Sequence, residues 1–223
     1  MRLLQSIIAF LLALASLPVA AATSLVERLQ SLAPDADARV ITLAVDAMQC
    51  AVANGMPASE RLAVIDYSLP STTPRLWVFD LSRSALLFHE LVAHGRNSGE
   101  NLTTHFSNMP GSLATSIGLF RTGATYKGSN GYSLRMEGLE PGVNDKAMER
   151  AIVMHGAPYV REGMAEKFGR LGRSWGCPAV RQGVAKRLID TMKEGQFLFS
   201  YYPDQQWLGS SPFLNCTPKT ASR

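Results

Sequence analysis

The hydrophobic pattern changes character partway along the chain, and this change limits the folds that the sequence can adopt. Over residues 35–54 apolar side chains recur at i, i+3 and i+4 spacing, which is typical of an amphipathic helix, and Gly55 ends it. From Leu76 onward the apolar residues instead form short β-prone runs, separated by stretches dense in Gly, Ser, Asn and Thr. We therefore expect a mainly β body with peripheral helices.

The same signals place the individual elements. Short helices are predicted over residues 24–31 and 184–192, the second closed by Gly195. The runs at 76–79 and 86–93 predict two strands of a hairpin that turns at 82–84. Residues 95–131 are expected to form long loops with short strands. Further strands are predicted at 132–136, 151–155 and 197–202.

Composition narrows the class of protein. Hydrophobic residues make up 46% and charged residues 18% of the 223 residues, which supports one packed domain and excludes a disordered chain. The net charge is +4, but Lys and Arg are scattered, so nucleic acid is not an expected partner, whereas an acidic or mixed-charge polymer remains open. Three cysteines without CxxC or Cys/His zinc spacing exclude a zinc ribbon and a disulfide-dense miniprotein.

The first 22 residues have the layout of a secretory signal peptide. Arg2 precedes an apolar run over 7–17, Pro18 interrupts it, and Ala20-Ala21-Ala22 offers small residues for cleavage. An uncleaved anchor is the alternative, although this run is shorter than the ~20 residues that a spanning helix needs. We expect cleavage near Ala22 and export, with membrane contact only through this segment if it is uncleaved.

Export makes the odd number of cysteines informative, since an oxidising compartment favours pairing. Cys50 falls on the predicted second helix and Cys216 in the C-terminal tail, and we hypothesise a disulfide between them. The alternative is that Cys50 is simply a small buried hydrophobic residue. With the disulfide formed, Cys177 is the free thiol.

The candidate chemistry lies at Cys177. A thiol with its ordinary pKa of about 8.5 is only a few per cent thiolate at pH 7, so it needs a base or a positive field. His155, at the end of a predicted strand, would supply the base if a loop returns Cys177 to face it. Gly176 would let the backbone approach a substrate carbonyl, and nearby N–H groups would stabilise an oxyanion. We place the backbone of Gly156 and Ser174 in the same oxyanion site.

The segments His155-Gly156 and 174–177 (Ser-Trp-Gly-Cys) resemble the signature of the YkuD-like L,D-transpeptidases, cysteine enzymes that remodel bacterial peptidoglycan. In that family a His-Gly on a strand is followed, after a loop, by Ser or Thr, a variable residue, Gly and Cys. The likeness covers roughly residues 62–203 and indicates a divergent branch. Trp175 stands where many members have His, and Ala179 where many have Arg or Asn.

The resemblance implies a β-sandwich-like catalytic fold and an acyl transfer through a Cys177 thioester, with His155 as the base. Cross-linking of donor and acceptor stem peptides, trimming to an L,D-carboxypeptidase product, and exchange of the terminal D-amino acid all remain open. The alternatives are a non-catalytic peptidoglycan-binding module and another exported cysteine peptidase such as a sortase. The resemblance also implies a periplasmic or cell-envelope location, inhibition by carbapenems, and no cofactor or metal.

Further residues are candidates for substrate binding. Arg173 or Arg181 would replace the substrate contact that is lost two residues after the Cys, and Trp175 beside the nucleophile would stack on substrate. The alternatives are a surface ion pair for Arg173 and half-buried packing for Trp175. Tyr132 and Asn108 are the remaining candidates, from the Gly-rich region. The chain is accordingly divided into a signal peptide (1–22), a helical segment (23–60), a catalytic domain (61–205) and a tail (206–223).

Overall fold

The computed structural model describes residues 23–216 and has five helices and nine strands in that range. The signal-peptide prediction lies outside the described residues. The helices are α1 (Leu25–Leu32), α2 (Ala38–Ala53), α3 (Glu162–Phe168), α4 (Gln182–Met192) and α5 (Gln205–Ser210). The strands are β1 (Arg61–Asp66), β2 (Leu76–Asp80), β3 (Ala85–Glu90), β4 (Val92–Ala93), β5 (Gly118–Gly128), β6 (Gly131–Gly138), β7 (Val153–Ala157), β8 (Ala179–Arg181) and β9 (Phe197–Tyr201). Within 23–216, no helix is both long and apolar enough to cross a bilayer.

The first two helices form where the sequence predicts them, and each begins at a capping residue. The Ser24 side chain accepts from the Glu27 N–H, and the Glu27 carboxylate accepts from the Ser24 N–H, which completes a capping box. The Asp37 carboxylate caps α2 through the Arg39 N–H. The apolar stripe of α2 then packs on the sheet, because this amphipathic face needs a partner surface.

The nine strands form one sheet in the order β3-β2-β1-β9-β5-β6-β7-β8-β4. Its two end strands, β3 and β4, are separated along the chain by Leu91 alone. Since one residue cannot span a wide sheet, the sheet must curl until its two ends meet. The predicted mainly β fold with peripheral helices is confirmed, and its sandwich-like form arises from one sheet that folds over on itself.

Hydrophobic cores lie on both faces of this curled sheet. On β1, Leu62 and Val64 point toward the helices α1 and α2, whereas Ala63 and Ile65 point into the curl of the sheet. The inner core is filled by the apolar face of α4, including Leu188. The central strands are therefore covered on both sides.

Three features of the sheet differ from the sequence-based prediction. The strand β1 was not predicted, because burial on both faces gives it no alternating pattern. The strand β5 runs for 11 residues through a stretch expected to be mostly loop, where Gly, Thr, Arg and Lys obscure its alternation. The run at 86–93 divides at Leu91 into two strands that lie at opposite ends of the sheet order.

The C-terminal segment is attached to α2 and to the sheet. A disulfide joins Cys50 to Cys216, and Cys177 is the free cysteine among the described residues. Within the predicted tail, α5 places the buried Trp207 against Glu140, with a 2.8 Å hydrogen bond from the indole Nε1 to the carboxylate. The division into segments at 60/61 and 205/206 stays a prediction.

Replacing Trp207 by Phe is expected to lower the free energy of unfolding by about 1 to 3 kcal/mol. The Glu140 carboxylate is completely buried, and Phe would leave one of its oxygens without the indole donor. Chemical denaturation of the two proteins measures the difference. Trp175→Phe is the matched control: this indole is 71% exposed, and its loss should change stability by about 0.5 kcal/mol or less. Equal effects of the two substitutions would contradict the prediction.

Candidate active site

Two neighbouring strands bring His155 and Cys177 together. The strands β7 and β8 are parallel and hydrogen-bonded, with His155 opposite Ala179. Cys177 lies two residues before Ala179, in the turn that leads into β8. Both side chains line one cavity of about 560 Å³, as Arg150 does. The fold thus brings together the two residues that the sequence singled out as nucleophile and base.

The Cys177 thiol is held by the segment that precedes β7. The sulfur lies 3.4 Å from the Val153 N–H, which donates to it, and the thiol donates to the Ala151 carbonyl at 3.7 Å. The side chain is almost fully buried. Burial raises the pKa of Cys177, and the Val153 N–H and the Arg150 charge only partly oppose this rise. The thiol is therefore protonated at neutral pH and needs a base.

The buried His155 imidazole has one ring nitrogen fixed by a backbone carbonyl. Its Nδ1 lies 3.1 Å from the Gly156 carbonyl, and because a carbonyl can only accept, Nδ1 must carry the proton. The Nε2 lone pair is then available to receive a proton from another group. Burial lowers the pKa of His155, although the bond to Gly156 opposes this effect. At neutral pH the imidazole is uncharged.

The turn before Cys177 is fixed by Ser174. The Ser174 hydroxyl accepts from the Gly176 N–H at 3.1 Å and donates to the Cys177 carbonyl at 2.7 Å. The Gly176 N–H is therefore already used, which contradicts its predicted role as an oxyanion donor, and the Ser174 hydroxyl supports the turn instead. Among the residues that the structure describes, no acceptor pairs with the Cys177 N–H, which leaves it as the donor that this turn can offer.

Gly156 also differs from its predicted role. A Cβ at this position would lie 2.7 Å from the Cβ of Ala185 on α4. Glycine is thus required here by the close approach of α4 to β7, not by an approaching substrate. Its carbonyl nevertheless contributes to the site, because it orients the His155 ring.

Two of the five predicted substrate-binding residues lie at the cavity. Trp175 stands at its rim and is 71% exposed, although most tryptophans are largely buried. Arg173 lines the same cavity, and its NH1 group donates to Gly99 at 2.9 Å and to Glu100 at 2.7 Å. Both side chains are therefore placed to contact a molecule that enters the cavity.

The other three candidates do not line the cavity and have partners elsewhere. Arg181 makes a bidentate ion pair with Glu90, at 2.7 and 2.9 Å. The Tyr132 hydroxyl donates to Asp190 on α4 at 2.6 Å. The Asn108 amide donates to the Asp145 carboxylate at 2.7 Å and so joins two loops. The sequence placed these residues near the site by position alone, and their side chains meet other elements.

His94 is also structural. It is buried, with Nδ1 accepting from the Arg75 guanidinium at 2.7 Å and Nε2 donating to the Gly99 carbonyl at 3.3 Å. Burial, together with the Arg75 charge, lowers the pKa of His94 to about 4. It therefore stays neutral at neutral pH and supports the strand beside the nucleophile turn.

Sequence reasoning missed Arg150 and Tyr159, which both line the cavity. Arg150 lies just ahead of β7, at the edge of an apolar run, where a charged residue is usually interpreted as solvated. Its position directly before the strand that carries His155 is the one sequence signal that could have marked it. No comparable signal marks Tyr159, because its place in the cavity depends on how the chain turns after β7.

Known proteins provide an independent comparison. The L,D-transpeptidase catalytic domain model matches residues 32–201. A solved L,D-transpeptidase from Mycobacterium smegmatis is 15% identical with a TM-score of 0.40, over 65% of this chain and 60% of that one. Another, from Stackebrandtia nassauensis, is 12% identical with a TM-score of 0.39, over 78% and 75% of the two chains. An L,D-transpeptidase in complex with imipenem is 15% identical with a TM-score of 0.39, over 64% and 59%.

No curated protein matches this chain. The chain spans about 60% of the length of two of the solved relatives, the Mycobacterium smegmatis enzyme and the imipenem complex. The resemblance seen at His155-Gly156 and at residues 174–177 is confirmed by the family model, which includes both segments. Because that model matches residues 32–201 of the 223 in the chain, the protein belongs to the L,D-transpeptidase catalytic domain family.

Proposed function

We propose that this protein is a peptidoglycan L,D-transpeptidase that works through a Cys177 thioester. The observation that carries the proposal is the pairing, in one cavity, of a buried free thiol with a neutral imidazole. The bond from His155 to the Gly156 carbonyl leaves Nε2 as the proton acceptor. Membership of the L,D-transpeptidase family supports the same reaction.

In the first step, His155 Nε2 takes the thiol proton and Cys177 Sγ attacks a carbonyl of the donor stem peptide. That carbonyl joins an L-configured centre to the terminal D-amino acid. The N–H of Cys177 would stabilise the resulting oxyanion. When the intermediate collapses, the C–N bond breaks, the imidazolium returns its proton to the leaving amine, and a thioester remains on Cys177.

In the second step, an amine of an acceptor stem attacks the thioester, forms the new amide and releases the thiol. Water as the acceptor would make the protein an L,D-carboxypeptidase, and a free D-amino acid would give exchange. The thiol itself supplies the nucleophile, so the proposed chemistry uses no cofactor. Arg173 and Trp175 at the cavity are the side chains that we propose contact the stem peptide.

The proposed substrate also sets a location. Peptidoglycan lies outside the cytoplasmic membrane, so we propose that the protein is exported to the periplasm or cell envelope, with residues 1–22 as its signal peptide. The disulfide between Cys50 and Cys216 fits an oxidising compartment of this kind.

The test is mass spectrometry of the intact protein with a disaccharide-tetrapeptide, beside Cys177→Ala. We expect a mass gain on Cys177 and dimeric muropeptides with the wild type, and neither with Cys177→Ala. An acyl-enzyme with only tripeptide product would identify a carboxypeptidase instead. If a folded protein with a free thiol gives no adduct and no product, the proposal fails and a peptidoglycan-binding module becomes the better hypothesis.

The pH dependence of acylation provides a second prediction. Only uncharged His155 can accept the thiol proton, and burial lowers the pKa of His155 from 6.5. The acylation rate should therefore rise with pH and reach half of its plateau below pH 6.5. Rates of Cys177 acylation by a carbapenem, measured between pH 4.5 and 8, check this. A half-maximal pH above 6.5 would contradict the lowered pKa of His155.

A further inference from the structure

Arg150 is held in the wall of the cavity by an unusually complete set of hydrogen bonds. Its NH1 group donates to the Ser107 carbonyl at 2.6 Å and to the Ser116 hydroxyl at 2.5 Å. Its NH2 group donates to the Ser112 hydroxyl at 3.1 Å and to the Ala114 carbonyl at 2.6 Å. Four of the five N–H groups of the guanidinium are thereby used. Arg150 therefore cannot turn to bind a substrate carboxylate with two N–H groups.

The same contacts place the guanidinium next to the nucleophile turn. The Ala114 carbonyl that binds NH2 also lies against Gly176, where a Cβ would come within 2.7 Å of its oxygen. The residue after Arg150, Ala151, has a positive φ of 53°, and its carbonyl accepts the Cys177 thiol. Such strain in a non-glycine residue is typical of functional sites. Arg150 is thus linked to the turn that carries Cys177 in two ways, by its bond to Ala114 and through Ala151, the next residue in the chain.

Arg150 is also the charged side chain of this cavity that lacks an ion-pair partner among the described residues. The other titratable groups that interact with Cys177 or line its cavity are His155, Tyr159, Tyr67, Tyr126 and Arg173. Burial raises the pKa of Tyr67 and of Tyr159 and lowers that of His155, so these three are uncharged at pH 7. The Tyr126 ring packs against the Arg135 guanidinium. Arg173 is paired with the Glu100 carboxylate. Over residues 23–216, no carboxylate lies within ion-pair distance of Arg150.

We propose that Arg150 is a positioning residue whose fixed positive charge stabilises the thiolate of Cys177. This inference deepens the proposed function. It rests on that function only for the premise that the Cys177 thiolate is the nucleophile. When the thiol proton moves to His155 Nε2, a thiolate and an imidazolium form in a buried place, and the charge of Arg150 favours the thiolate. Its effect on Cys177 opposes the cost of burial, as does the N–H of Val153.

The experiment measures the alkylation of Cys177 by iodoacetamide as a function of pH in the full 223-residue protein. Cys50 and Cys216 form a disulfide, so the free thiol of the described residues is the one that reacts. Arg150→Gln removes the charge, and we expect alkylation at pH 7 to slow about tenfold or more, with the profile displaced toward higher pH. Arg150→Lys keeps the charge and should retain most of the wild-type rate.

Ser112→Ala is the matched structural control, because it removes one anchor of Arg150 and leaves the charge in place. Its profile should stay within about twofold of the wild type. A folded Arg150→Gln protein with the wild-type profile, or a shift in Ser112→Ala as large as that in Arg150→Gln, would overturn the proposal. If Arg150→Gln does not fold, the test rests on Arg150→Lys. A folded Arg150→Lys protein whose Cys177 is alkylated tenfold more slowly than the wild type would contradict the role of charge.

Alkylation needs no peptidoglycan, so the two proposals can fail separately. If alkylation depends on Arg150 as expected but no acyl-enzyme forms with the tetrapeptide, this inference is supported and the proposed function fails. If the acyl-enzyme forms but alkylation does not depend on Arg150, the proposed function is supported and this inference fails.

Discussion

Replacement of His155 by Gln is expected to lower the second-order rate constant for acylation of Cys177 by about 10²- to 10⁴-fold at pH 7. Burial keeps the thiol protonated, and Gln offers no base to take the proton. The wild-type imidazole has its Nδ1 fixed on the Gly156 carbonyl and its Nε2 free to accept. Acylation by imipenem, followed by intact-protein mass spectrometry, measures the loss, since a β-lactam carbonyl reports attack by the thiol directly.

The pH dependence distinguishes loss of a base from loss of structure. Above pH 9 a growing fraction of Cys177 ionises without help, so the gap between His155→Gln and the wild type should narrow. A gap that is constant across pH would instead indicate that the substitution distorts the site. His105→Gln is the matched control, because His105 is exposed and does not line the cavity. If His155→Gln also reacts within about twofold of the wild type, His155 is not the base.

The two central residues of the site were predictable from the sequence because their signal is local. Each of the two motifs, His155-Gly156 and Ser174-Trp175-Gly176-Cys177, is a run of consecutive residues that can be recognised in the sequence alone. The roles of individual groups within them were harder to predict. Gly176 offers its N–H to Ser174, and Gly156 is small because α4 approaches it. Such roles depend on neighbours that only the folded chain brings near.

Arg150 shows why the other residues of the site could not be predicted from the sequence. Its partners are Ser107, Ser112, Ala114 and Ser116, which lie in a stretch that the sequence predicts as long loops with short strands. Arg181 is the converse case: its position after Cys177 suggested substrate binding, but its guanidinium meets Glu90 on β3. A long basic side chain can reach several elements, so its position in the sequence does not determine its partner.

The fold was predictable to a similar extent. Periodicity located α1 and α2, and the apolar runs located most strands, because both signals arise within one element. The order of the strands has no such signal. Leu91 separates two strands that lie at opposite ends of the sheet, because the whole sheet curls. This curl depends on the packing of α4 inside the sheet and of α2 outside it.

Gly176→Ala is expected to lower both stability and activity, for one geometric reason. Gly176 has a φ of +120°, which side-chain-bearing residues rarely adopt, and its Cβ would lie 2.7 Å from the Ala114 backbone oxygen. Backbone atoms cannot rotate away as a flexible side chain can, so the turn must move and take Cys177 with it. We expect the free energy of unfolding to fall by about 1 to 3 kcal/mol. A shift of about 1 Å at the sulfur would slow acylation about 100-fold.

Gly183→Ala separates this effect from a general cost of adding a methyl group. Gly183 lies on α4, and apart from its chain neighbours and the helix's own backbone no atom lies within 4 Å of an added Cβ. Alanine there should therefore leave stability unchanged or raise it by up to about 1 kcal/mol. Thermal unfolding and imipenem acylation of the two variants provide the comparison. If Gly176→Ala reacts as fast as Gly183→Ala, then the turn tolerates displacement, and the position of Cys177 does not depend on the contact between Gly176 and Ala114.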